Sequence, residues 1–214
     1  MDTYICVACG AAYPDSTAPP ASCRICEDER QFVPWTGQAW TTLAKLRNSH
    51  GNALDEMEPK LVRIGTRPGF GIGQHAYVVQ TPAGNVLWDC ISLLDDATIE
   101  AITSLGGLAA IAISHPHYYS TIDLWSDAFD APVYIHERDA EWIVRRPSGI
   151  ELWSGPDLQL LPELTLIHGG GHFAGSCMLH WSAGAGGLGV LLPGDTIQVV
   201  HDRRWVSFMY SFMN

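Results

Sequence analysis

From Leu61 onward, apolar residues fall in short runs separated by turn formers, and the runs alternate between strand-like and helix-like spacing. LVRIG (61–65), HAYVVQ (75–80) and VLWDC (86–90) read as strands, and Pro82, Gly84 and Asn85 between the last two predict a hairpin. Asp95 or Asp96 is placed to cap a helix with the apolar stripe Ile99, Ile102 and Leu105, and Gly106 and Gly107 end it. LAAIAIS (108–114) is an unbroken apolar run that suits a strand covered on both faces. A helix over TIDLWSDAF, the strand VYIH and a helix around RDAEWIVRR, stopped by Pro147, come next. Strand-like runs then dominate: LTLIH, CMLHW, GVLLPGD and RWVSFMYSF.

The pattern before Leu61 differs. Residues 1–30 are rich in Cys, Pro, Ala, Ser and Asp with hardly any aliphatic periodicity, so hydrophobic burial alone cannot fold them. Residues 31–60 combine Trp35 and Trp40 with a short helical stretch, TTLAKLRN, and are expected to connect the head to the main domain and pack on it. At 214 residues, 47% of them apolar, the chain can bury one main core (61–214) beside a small appendage (1–30).

Charge narrows the range of partners. Twelve Lys and Arg against 23 Asp and Glu give a formal net charge of −11, so the surface repels polyanions, and no nucleic acid partner is expected. The pairs Arg145/Arg146 and Arg203/Arg204 read as solvated edges. The opening MDTYICVACG lacks a charged leader followed by an apolar stretch, and no segment approaches the roughly 20 apolar residues of a spanning helix. A cytoplasmic protein without membrane contact is the expectation, in which six cysteines serve as thiolate ligands or buried thiols.

Cys6 and Cys9 form one C-x-x-C pair, and Cys23 and Cys26 form a second. Two such knuckles can close a tetrahedral shell of four sulfurs, and Gly10 supplies the permissive backbone that a tight turn needs. With Tyr4 and Tyr13 flanking the first knuckle, the head resembles a rubredoxin-like zinc ribbon. A structural zinc is the expected occupant; iron also suits four thiolates, and disulfides or a thiol redox pair are the other readings.

His115 and His117 follow the LAAIAIS run, and residues two apart in an extended segment point to one side. Pro116 between them suits a strand end. His172 lies in the glycine-rich GGGHFAGS, and Asp195 ends the strand-like LLPGD. The order of Asp89 in VLWDC, then S-H-P-H, then G-H-F-A-G-S, then P-G-D-T resembles the metallo-β-lactamase superfamily over roughly residues 61–200. That resemblance implies an α/β fold, an αββα sandwich with its metal site in the loops at one edge of the two sheets. It also implies that His115, His117 and His172 are ligands of a first metal, that Asp195 is the carboxylate beside them, and that Asp89 orients the histidine loop.

The chain departs from the family's pattern in two places. Tyr119 and Ser120 stand where an Asp-His pair commonly serves a second metal, and phenol and hydroxyl are poor zinc ligands at neutral pH. The late histidine ligand is also missing, with His201 too soon after Asp195 to replace it, so the last elements of the sandwich are expected to be absent. A single ion is therefore expected at the three histidines, with Asp195 as a fourth ligand or hydrogen-bonded to a bound water.

What the resemblance implies is a zinc-dependent hydrolase acting on a small-molecule substrate, with Asp195 handling the water and Tyr119 or Tyr118 donating to the developing oxyanion. Two histidines and Asp195 around iron would instead resemble the superfamily's single-iron sulfur dioxygenases. A catalytically inactive, metal-stabilised binding protein is the third reading. GTRPGFGIGQ fails as a dinucleotide loop because a strand follows it, and it reads as a loop beside the metal cleft, where Phe70 and Ile72 could cover a substrate. Cys90, Cys177 and the remaining histidines, among them His75, His136 and His168, have no spacing that assigns them a role. Replacing both Cys6 and Cys9 with Ser is expected to remove one metal equivalent from the purified protein by elemental analysis; an unchanged metal content refutes the four-cysteine assignment.

Overall fold

The computed structural model describes residues 1–28 and 33–209. Seven strands form the larger sheet in sequence order: Gly51–Glu58, Leu61–Arg67, His75–Thr81, Gly84–Trp88, Ala110–Ala112, Val133–His136 and Ile150–Trp153. The first four pair antiparallel and the last three are added in parallel. The change of sense follows from the connections, since a two-residue turn can only reverse the chain whereas the helix Asp96–Ser104 carries it back for a parallel neighbour. A second, antiparallel sheet contains Asp157–Leu161, Leu164–His168, Cys177–Trp181 and Val190–Leu192.

Alternation along the strands separates two cores. Val79, Val86, Trp88, Ala110 and Ala112 of the larger sheet face Leu164, Leu166, Leu179, Trp181 and Leu192 of the smaller one. Ile64, Val78, Leu87, Ile111, Ile113, Val133 and Ile135 pack instead with Ile102, Ile122 and Trp125 from the helices Asp96–Ser104 and Ile122–Phe129. Asp95 caps the first of these helices by accepting the backbone N–H of Thr98 at 2.8 Å, which chooses between the two aspartates the sequence offered.

Four segments differ from the sequence expectation. The RDAEWIVRR stretch forms a tighter 3₁₀ helix, Glu137–Trp142, that ends before Arg145 and Arg146. Gly51–Glu58, expected in the connector, is the first strand of the large sheet, pairing along the whole of Leu61–Arg67. Trp40–Thr42 pairs with Tyr4–Cys6 and thus belongs with the cysteine head, and the helix Leu43–Ser49 that follows buries Leu46 against Ile5, Ala12 and Leu93. Val206–Phe208, from the RWVSFMYSF run, pairs with Ile197–Val199 in a two-stranded hairpin outside both large sheets, and Tyr210, Ser211 and Phe212 of that run lie outside the described residues. Among the described residues, no helix is long and apolar enough to cross a membrane.

Trp125 is fully buried, and its indole N–H donates to the Ile91 carbonyl at 3.0 Å. Trp125→Ala is expected to leave a cavity and remove one of the two hydrogen bonds to the Ile91 carbonyl, which Thr121 also meets at 3.2 Å, and to cost about 3–5 kcal/mol by urea denaturation.

Candidate metal centre

Each residue of the histidine set sits at the end of a strand of the sandwich. The buried Ala110–Ala112 strand delivers the chain to Ser114 and His115, and the Leu164–His168 strand leads into the loop that carries His172. Val190–Leu192 ends just before Pro193, Gly194 and Asp195. The sequence reading of an extended H-P-H segment is corrected here. His115 itself is extended, but Pro116–Tyr118 is a 3₁₀ turn, because proline's fixed φ and missing N–H fit the first position of a helical turn. The turn still brings the imidazoles together, with ring centroids of His115 and His117 at 5.0 Å.

One ligand atom from each of His115, His117, His172 and Asp195 lies within 4.8 Å of the others. His172 Nε2 stands 3.3 Å from His117 Nδ1, and Asp195 Oδ2 stands 3.4 Å from His115 Nε2 and 3.7 Å from His172 Nε2. Donors bonded at about 2.0–2.1 Å to a tetrahedral ion are roughly 3.3 Å apart, so the residues present fit a metal. Burial would raise the Asp195 carboxyl, but attraction to His115, His172 and His117 outweighs it and holds the group at about 2, ionised and ready to ligate.

The surrounding shell fixes this geometry. His115 Nδ1 lies 2.8 Å from Ser114 Oγ, which leaves Nε2 for the site. Asp89, in a left-handed conformation at φ 67°, accepts the Ser114 backbone N–H at 2.7 Å and so anchors the start of the histidine loop. Burial pushes the Asp89 carboxyl up to about 7, against the pull of His115 and the Ser114 N–H. Asp139 accepts the Gly175 N–H at 2.7 Å, and Ser176 Oγ accepts the Phe173 N–H at 2.8 Å, which shapes the loop around His172. Gly194 is required for closeness, since a Cβ there would stand 2.6 Å from Ser114 Cβ and its φ is +53°. Beside the histidine set opens a cleft of about 150 Å³, lined by His75, Tyr77, Trp88, Asp89 and Tyr118 and by residues 192–194.

Tyr119, expected at the site, faces away from it. It is buried in the main core and its hydroxyl donates to the Asp139 carbonyl at 3.2 Å. Of the adjacent pair, Tyr118 is the one that reaches the cleft, with its ring 5.1 Å from that of His115. Burial, reinforced by Asp89 and Asp195, pushes the Tyr118 phenol well above its ordinary value and keeps it a donor. Ser120 does not face the histidines' centre either; its hydroxyl donates to the Gly10 carbonyl at 2.5 Å. Phe173, which the sequence left unremarked, places its ring 5.1–5.9 Å from all three imidazoles.

The GTRPGFGIGQ loop is a junction with the cysteine head and does not cover the cleft. Phe70 packs with Ile5, Ala12, Leu46 and Leu93, and the Gly71 Cα comes so near the head that a Cβ would meet the Gly10 nitrogen at 3.2 Å. In the head, Cys6, Cys9, Cys23 and Cys26 gather with sulfur separations of 3.5 and 3.6 Å for Cys6–Cys26 and Cys9–Cys23. These gaps exceed a disulfide bond and approach the roughly 3.8 Å between sulfurs around a tetrahedral zinc. Tyr13 Oη donates to Cys23 Sγ at 3.3 Å and Gln38 Nε2 to Cys6 Sγ at 3.5 Å, both favouring thiolate.

No protein-family model matches the chain. A Bacillus subtilis (strain 168) protein described as uncharacterized protein YmaE is 51% identical over 216 residues, covering all of this chain and 79% of the relative. Among solved structures, DIM-1 metallo-beta-lactamase aligns with a TM-score of 0.57 at 12% identity, over 70% of this chain and 72% of that one. VMB-1 aligns at 0.50 with 12% identity over 61% and 65%, and a Cronobacter sakazakii metallo-beta-lactamase with an HARLDQ motif at 0.50 with 17% identity over 69% and 64%. The chain thus spans just under two thirds of the last two. Identities this low speak for the fold alone. The chain belongs to the family of Bacillus subtilis YmaE, and its main domain has the metallo-β-lactamase fold.

Proposed function

We propose that the chain is a metal-dependent hydrolase that works through one ion held by His115, His117 and His172, with Asp195 beside the position left open for water. The observation that carries this reading is the approach of four ligand atoms, from three distant stretches of chain, to within 4.8 Å of one another. A divalent ion bound there supplies Lewis acidity and brings the pKa of a water toward neutrality. The Asp195 carboxyl, held at about 2 and so ionised, and partly open to solvent, would accept a hydrogen bond from that water and orient it. Tyr118, held protonated at the edge of the cleft, donates to the oxygen that gains charge on the attacked carbonyl or phosphoryl group. Ser114 and Asp89 keep the His115 imidazole aligned. Tyr119 and Ser120, turned toward Asp139 and Gly10, are not available to ligate a second ion, which favours a single-ion site. The cysteine head is read as a structural zinc site, since four thiolates leave no open position for a substrate.

About two zinc equivalents are expected in the purified protein, falling to about one in His115→Ala, by elemental analysis. His172→Ala should reduce hydrolysis of chromogenic carboxylic and phosphoric esters to the uncatalysed rate. Native protein that carries iron and consumes oxygen on a thiol overturns hydrolysis, and native protein inert toward every ester favours a binding role. Gly194→Ala should weaken metal binding at the histidine set about 10–100-fold while sparing the cysteine set, measured by competition with a chromophoric chelator.

A further inference from the structure

Two clusters able to hold metal lie in one molecule, and the contacts between them are direct. The Cys9 carbonyl accepts Gln74 Nε2 at 2.5 Å, and the same nitrogen donates to the carbonyl of His117 at 3.1 Å. One amide group therefore joins the backbone of a cysteine of the first cluster to the backbone of a histidine of the second. One residue further on, the Gly10 carbonyl accepts both Ser92 Oγ at 2.7 Å and Ser120 Oγ at 2.5 Å. Ser92 and Ser120 are buried, and they also meet each other at 3.1 Å. Gly10 cannot be replaced without loss of this approach, because a Cβ would stand 2.6 Å from Ser92 Oγ. A second connection runs through rings. Trp142 packs on the cysteine cluster and lies 5.4 Å from Phe173, which touches all three imidazoles.

The carbonyls of Cys9 and Gly10 are held in place by the first knuckle, whose turn is closed by the Gly10 N–H donating to the Cys6 carbonyl at 2.9 Å. That knuckle has hardly any apolar core of its own and depends on a bound ion to order it, so its filled and empty states are two distinct arrangements. When it loosens, Gln74 keeps only the His117 carbonyl and the two serines lose the Gly10 carbonyl they share, and these lost hydrogen bonds in a buried junction favour relaxation of the loop that follows His115. We propose that Gln74 is a positioning residue that couples the two clusters, so that filling the cysteine set tightens the histidine set for its own ion. By linkage the reverse holds equally: an ion at the histidines strengthens the cysteine set. This proposal rests on the reading of the histidine set as a metal site.

Gln74→Met keeps the length of the side chain and removes its donor without touching any ligand. Titration of the full chain with cobalt(II) separates the clusters, because thiolate ligation gives a charge-transfer band that imidazole ligation lacks. The expected result for Gln74→Met is an unchanged thiolate band and about tenfold weaker cobalt binding at the histidine set. Cys26→Ser should weaken that set too, and the double variant should lose no more than the greater of the single losses, since both act through one junction. Cobalt binding at the histidines as tight in Gln74→Met as in the native chain overturns the proposal, as do losses that multiply in the double variant. Amide hydrogen exchange over residues 117–120, in protein given one equivalent of zinc, should quicken in Gln74→Met. Native chain that takes no cobalt at the histidines refutes the metal reading by itself; exchange then still decides the coupling, and unchanged rates overturn it.

Discussion

Three imidazoles and a carboxylate packed into one buried pocket, with nitrogens 3.3 Å apart, form an arrangement that a shared cation stabilises and that desolvation otherwise opposes. The rest of the domain can be understood as the means of holding that arrangement. Strand ends bring the four side chains to one rim of the sandwich, and the sheet-to-sheet core behind them, with Trp88, Leu179 and Trp181 packed face to face, fixes the distance between the loops. Rigid strands with short loops do this better than long loops, because less of each ligand's freedom must be lost when an ion arrives.

Around the ligands, the chain uses backbone as much as side chain. Asp89 grips the Ser114 N–H, Asp139 grips the Gly175 N–H, and Gly194 admits Ser114 at a distance that any side chain would forbid. None of these three touches the metal cluster's centre, yet each determines where an imidazole or carboxylate begins. The acidic groups behave differently according to their surroundings: Asp195, facing three imidazoles, is held at about 2, while burial carries Asp89 up to about 7.

Much of this was legible in the sequence, for physical reasons that can be named. The hairpin of His75–Thr81 and Gly84–Trp88, the cap at Asp95 and the buried strand before His115 are local patterns, where alternation and turn chemistry act over a few residues. The four cysteines were legible because paired C-x-x-C knuckles restrict residue type, and the histidine set because the order of its motifs resembles that of metallo-β-lactamases. What depends on distant contacts was not. Nothing local separates Tyr118 from Tyr119; one faces the cleft and the other the core only because the 3₁₀ turn at Pro116 rotates them apart. Gln74 and Phe173 gave no signal, since a lone glutamine or phenylalanine near glycines has no spacing to mark it. Of the glycines in the 65–73 stretch, Gly71 answers a need for close backbone approach, and the surface it approaches is the cysteine head and not a ligand.

The hydroxyl of Ser120 has a structural post already, pinned between Gly10 and Ser92. A carboxylate introduced at that buried position to recruit another cation would press its charge against the glycine carbonyl. A second ion at that position would therefore come at the expense of one of the buried contacts that hold the cysteine-rich head.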